Sequence, residues 1–73
     1  MSMTRVPLLA AVALLEDLPQ HGLRRGEIGT VVEELDPNGA VLVEFSDDQG
    51  QTYALADLMP DQLMLLHRRT RAA

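Results

Sequence analysis

An all-β domain of five short strands, bent into a small barrel, is the fold this sequence predicts. Three observations predict it. Turn signals punctuate the chain at near-regular intervals, the runs between them are short and rich in strand-forming residues, and one run alternates with a period of two. Short, evenly spaced strands joined by tight turns argue for a sandwich or barrel. With 73 residues there is room for one domain.

The strand-type runs are 11–15, 28–35 (with Thr30-Val31-Val32), 40–45, 51–58 and 63–67. A short 3-10 turn is expected at Pro60-Asp61-Gln62, before the last strand. The segment from Leu18-Pro19 to Gly26 reads as a turn-rich loop. Asp36-Pro37-Asn38-Gly39 and Asp47-Asp48-Gln49-Gly50 read as hairpin turns: an Asp opens each, Pro37 fixes φ in the first, and a Gly supplies the left-handed residue. Two hairpins in succession make the second, third and fourth strands a meander. In the third run Val41, Val43 and Phe45 share one face, assigned to the core, and Leu42 and Glu44 share the other. In the second run Ile28, Val31, Val32 and Leu35 mix parities, and Gly29 within it predicts a bulge or bend. Leu55 is placed in the core with Val41, Val43 and Phe45, joined by Val12, Leu14, Val31, Leu63 and Leu65. Both ends also admit a helical reading, over 8–15 with Pro7 at the first position and over 61–71 capped by Asp61, because short apolar runs are ambiguous.

Composition sets the stabilising forces. The chain has no cysteine, which removes disulfides and thiolate metal sites. Stability must come from apolar packing, in a core that is aliphatic apart from Phe45 and Tyr53. The absence of cysteine is compatible with a reducing cytoplasm, the expected location. The apolar stretch after Arg5 faintly imitates a secretory leader, but it is short and runs directly into the first strand. It is also far below the length of a membrane span. The net charge is −5, unevenly spread: all eleven acids lie between Glu16 and Asp61 with only Arg24 and Arg25 among them, a net −9 for that stretch. Arg68, Arg69 and Arg71 follow with no acid. The expected organisation is an N-terminal extension over 1–10, a barrel over 11–67 and a basic tail over 68–73.

Two stretches carry a resemblance: Leu14-Leu15-Glu16-Asp17-Leu18-Pro19 through Gly29-Thr30-Val31-Val32-Glu33, and Val43-Glu44-Phe45 followed by Asp48, Gly50 and Gln51-Thr52-Tyr53-Ala54-Leu55. From about Val12 to Leu66 the sequence resembles an uncharacterised bacterial family, domain of unknown function four-nine-two-six. The resemblance implies a five-stranded SH3-like barrel and no particular activity. More distantly, Gly-x-x-Gly-Thr-Val-Val is similar to other bacterial SH3-like barrels, among them ribosome-associated KOW modules and accessory barrels of photosynthetic electron-transfer complexes.

Gly26-Glu27-Ile28-Gly29 is not a phosphate loop, because a β-branched run follows it instead of a helix and the chain has no lysine. His21 and His67 are too few for a zinc site without carboxylates at ligand spacing. Glu33 and Glu34 point to opposite faces of a strand and cannot form a dyad. Asp47-Asp48 serves a turn and falls far short of a calcium loop. Ser2 and Ser46, the only serines, enter no Ser-His-acid arrangement. The expectation is a domain that is not an enzyme and holds neither cofactor nor metal.

Binding remains. The expected interaction surface combines Leu8 and Leu9, from a first strand that is apolar on both faces, with Arg24 and Arg25 on the exposed loop before the second strand. That arginine pair is either a recognition point or simply solvated. An apolar strand implies that both its faces are covered, so contact with a protein partner or a weak homodimer is expected. An acidic body suits a basic partner and equally suits solubility. Nucleic acid is disfavoured by the missing basic footprint and stacking aromatics. The readings that stay open are a protein-interaction or accessory module, a KOW-like nucleic-acid or ribosome-associated barrel, and an antitoxin- or immunity-like partner of a neighbouring gene product.

Overall fold

The computed structural model describes residues 6–67. The basic tail expected at Arg68, Arg69 and Arg71 lies outside them. Five strands form one antiparallel sheet: β1 (Ala11–Leu14), β2 (Ile28–Glu34), β3 (Val41–Ser46), β4 (Thr52–Leu58) and β5 (Leu63–Leu65). Their order is β4-β3-β2-β1-β5. Among the described residues no ladder joins β4 to β5, so the sheet is not closed. No α-helix forms among them, so the helical alternatives are not realised over 8–15 or over 61–67. Among the described residues no helix is long and apolar enough to cross a membrane.

The meander follows from two turns built alike. In each, a single Asp carboxylate oxygen accepts two backbone N–H groups. Asp36 Oδ1 accepts from Asn38 at 2.9 Å and Ala40 at 3.2 Å, and Asp47 Oδ1 accepts from Gln49 and Gln51, both at 2.9 Å. Gly39 and Gly50 close the turns at φ 98° and 81°, a region that L-residues with a Cβ avoid.

A 3-10 turn at Pro60–Gln62 leads into β5, and the Gln62 side chain accepts from the Met59 amide at 2.8 Å. A second 3-10 turn, Pro19–His21, sits inside the loop after β1.

The core is one face of the sheet. Val12 and Leu14 of β1, Val31 of β2, Val41, Val43 and Phe45 of β3, Ala56 and Leu58 of β4 and Leu63 of β5 are buried. Leu18 and Leu23, joined by a bridge, and Val6 complete it. Leu65 packs partly buried against this cluster.

Leu55 does not belong to the core: it is 53% exposed. The register explains why. Phe45 faces Ala54 and Val43 faces Ala56, so small residues of β4 meet large ones of β3, and Leu55 between them points outward beside Glu44.

The bulge lies elsewhere than expected. Register in β2 shifts between Val31 and Glu33, leaving Val32 as the extra residue. Gly29 serves a close approach: a Cβ there would stand 2.6 Å from Val43 Cγ1 and 2.9 Å from the Glu44 carbonyl oxygen. Residues 7–10 form a turn. The Leu9 amide donates to Val31 O at 2.7 Å and the Ala10 amide to Pro7 O at 3.1 Å, so the extension folds onto its own sheet and buries Val6.

Phe45→Ala should therefore cost ~3–5 kcal/mol, against about 0.5 kcal/mol or less for Leu55→Ala. Urea denaturation followed by far-UV circular dichroism measures both. Comparable losses would contradict the assignment of faces.

Candidate interaction surface

The alternation that buries one face sets the other out toward solvent. Paired residues of an antiparallel sheet share a face, so the ladders map the outer surface in rows. Met64 of β5, Ala13 of β1 and Ile28 of β2 form one row. Ala11, Thr30, Glu44 and Leu55 form the next. Ile28, Tyr53, Leu55 and Met64 are each more than half exposed, although all four are large and apolar. Scattered exposed apolar residues are ordinary; Ile28, Leu55 and Met64 share one sheet face, while Tyr53 stands at a register shift in β4.

Acids stand among them. The Glu27 carboxylate accepts from the Tyr53 hydroxyl at 2.7 Å and from the Arg24 amide at 2.7 Å. The Thr52 hydroxyl donates to Glu44. Tyr53 lies on β4 and Glu27 just before β2, so their bond reaches across β3 and ties the two strands' ends together. The Tyr53 hydrogen bond, and after it that from the Arg24 amide, hold the Glu27 carboxyl below its ordinary range, against a weaker opposing effect of burial. The same bond to Glu27, followed by burial, raises the Tyr53 phenol above 10.0.

The four residues expected to form the interaction surface are not brought together. Leu8 and Leu9 occupy the turn before β1, with Leu9 at φ 68° and 72% exposed. A left-handed leucine is strained, and its hydrogen bond to Val31 holds it there. Arg24 and Arg25 lie at the other end of β1, where the Gly26 amide donates to Leu14 O. Both are exposed, and their backbone amides bind Glu27 and Asp17. The outer-face set of Ile28, Leu55 and Met64 escaped sequence reasoning. Its signal was the pair of alanines flanking Leu55, small enough to lie opposite Phe45 and Val43.

Among the described residues, no group of three or more His, Asp or Glu side chains is placed to hold a metal ion. A shallow hollow bordered by Val6, Glu34, Asp36, Gly39, Ala40 and Val41 contains no histidine or hydroxyl nucleophile.

A family model described as "Domain of unknown function (DUF4926)" matches residues 8–65. The chain belongs to this family. The match begins at Leu8, inside the turn before β1, and ends at the last residue of β5, so it takes in the whole sheet. No curated protein and no solved structure matches the chain. Membership in the family brings no activity with it; what the domain does must be argued from its surface.

Tyr53 is the chain's one tyrosine and there is no tryptophan, so an ultraviolet pH titration reads its phenol directly. The midpoint should lie above 10.0 and return toward that value in Glu27→Gln. For stability, the raised phenol contributes fully below pH ~10 and its contribution is lost as pH rises through the folded value. The lowered Glu27 carboxyl contributes above its unfolded range and is lost as pH falls through its folded value. A midpoint unchanged by Glu27→Gln would contradict the bond.

Proposed function

We propose that this domain is a non-catalytic protein-interaction module, an SH3-like barrel open between β4 and β5, that docks its outer sheet face on a basic protein partner. The observation that carries the reading is the set of exposed apolar residues Ile28, Leu55 and Met64 on the outer face, in rows that also carry Glu44. Exposed apolar side chains gathered on one face mark interaction sites, and apolar centres with charged surroundings are the usual anatomy of an interface. The SH3-like reading is supported by the strand order, with β2, β3 and β4 as a meander, β5 returning to β1, and a 3-10 turn before β5.

Charge selects the partner. The stretch from Glu16 to Asp61 carries eleven acids against Arg24 and Arg25, so a cationic surface is attracted and a phosphate backbone repelled. A toxin-like or effector-like basic protein, for which this domain would be the acidic antitoxin or immunity partner, is a narrower form of the same reading. The domain works in the cytoplasm on this account.

Affinity capture from the native host, with the wild-type domain and an Ile28→Ser/Leu55→Ser variant side by side, tests the proposal. One stoichiometric basic protein, released as ionic strength rises and absent from the variant, is the expected result. Equal capture by the variant, or a catch dominated by ribosomal RNA, would overturn it.

A further inference from the structure

β4 is an open edge. It pairs with β3 on one side, and among the described residues no backbone hydrogen bond leaves its other side. At seven residues it is the longer of the two edge strands; β5 has three. An edge strand presents a row of unpaired N–H and C=O groups, which proteins blunt with proline, lysine, short length, a bulge or a covering segment. β4 holds neither proline nor lysine. Its register shift falls at one end, beside Tyr53, and residues 54–58 run in unbroken register against β3.

We propose that two copies of this chain join through these edges, β4 against β4, antiparallel about a twofold axis centred on Ala56. The result is one sheet of ten strands, five from each copy.

The strand's own sequence selects a second copy as the occupant. A twofold axis across an antiparallel pair sets one residue opposite itself, so the choice of centre fixes every other partner. With Ala56 at the centre, Ala54 meets Leu58 and Leu55 meets Asp57. Ala54, Ala56 and Leu58 all turn toward the core, so apolar meets apolar on that face. Leu55 and Asp57, both exposed, meet on the other face with no acid opposite an acid. Centring on Asp57 would set carboxylate on carboxylate, and like charges directly opposite destabilise. Centring on Leu55 would carry the new ladder into the irregularity at Tyr53. The Ala56 centre keeps all the pairs of residues 54–58 regular, inward opposite inward.

Symmetry also favours β4 on β4 over β4 on β5. A head-to-tail contact that does not close runs on into fibres, whereas the twofold pair uses up both long edges and stops.

The inference stands apart from docking on a basic partner, and ionic strength separates the two. Each chain carries a net charge of −5, so two copies repel at long range and salt screens that repulsion. Self-association should strengthen as salt rises, where a basic partner is released.

Sedimentation equilibrium of the full chain up to about 0.5 mM, a range that registers weak association, tests the proposal. The wild type should form a dimer that tightens with salt. Leu55→Asp places an acid opposite Asp57 twice and should weaken the dimer about tenfold or more. Adding Asp57→Asn to it should restore most of the loss. Leu55 also faces Glu44 within the chain, so far-UV circular dichroism checks that each variant is folded.

A second measurement does not depend on that variant. The chain has no cysteine, so Leu55→Cys and Asp57→Cys can be mixed and oxidised. Directly opposed residues lie within the Cα separation of about 4.4–6.8 Å that a disulfide requires, and diagonal ones lie beyond it. Intact mass should show the mixed disulfide in excess over statistical pairing. A wild type that stays monomeric throughout, a dimer that ignores Leu55→Asp, or disulfides in statistical proportion would overturn the proposal.

Discussion

The approach of β2 to β3 at Gly29 is the constraint on which the rest of the structure depends. A Cβ at this position would meet Val43 Cγ1 at 2.6 Å, the Glu44 carbonyl oxygen at 2.9 Å and Phe45 Cδ2 at 3.0 Å. Only a missing side chain lets the two strands close over Phe45, which is fully buried and the largest such side chain in the domain. The far side of β3 shows the same accommodation. Ala54 and Ala56 of β4 lie opposite Phe45 and Val43, so one large aromatic and one valine are packed between a glycine and two alanines. Interiors are filled to crystal-like density, and in a chain without cysteine this packing is the main source of stability.

Burying small residues beside β3 has a consequence on the other face. Strand side chains alternate, so when Gly29, Ala54 and Ala56 face inward their larger neighbours Ile28 and Leu55 face outward. The apolar outer surface is thus coupled to the core by the period of the strand. Its polarity is not forced in the same way, since an outward position tolerates any side chain that suits a strand. Large apolar residues at these positions do little for the core they turn away from.

Much of the fold was legible in the sequence because it is written in local chemistry. The Asp-x-x-Gly turns fixed both hairpins, and every strand was located to within a residue or two at either end. Val41, Val43 and Phe45 showed their face by simple alternation. Leu55 failed because hydrophobicity was weighed without size: a leucine outranks two alanines as a core candidate until Phe45 is known to stand opposite. Gly29 suggested a bend, yet the bulge falls at Val32, since a glycine in a strand can answer to a close neighbour as well as to curvature. The bond between Glu27 and Tyr53 joins residues 26 apart in sequence and depends on the complete sheet, so no local pattern announced it. The reversal at Leu9 was equally hidden, because leucine is not a residue that signals a left-handed turn.

A double-mutant cycle between Gly29→Ala and Val43→Ala tests the central packing claim most directly, through unfolding free energies from urea denaturation. Gly29→Ala should destabilise by ~1–3 kcal/mol, as overpacking does, and Val43→Ala should relieve part of that strain, so that the double variant is more stable than the sum of the single losses predicts by about 0.5 kcal/mol or more. A Gly29→Ala variant that is neutral, or that gains the ~0.4–1 kcal/mol typical of an unstrained Gly-to-Ala change, together with strict additivity, would contradict the account.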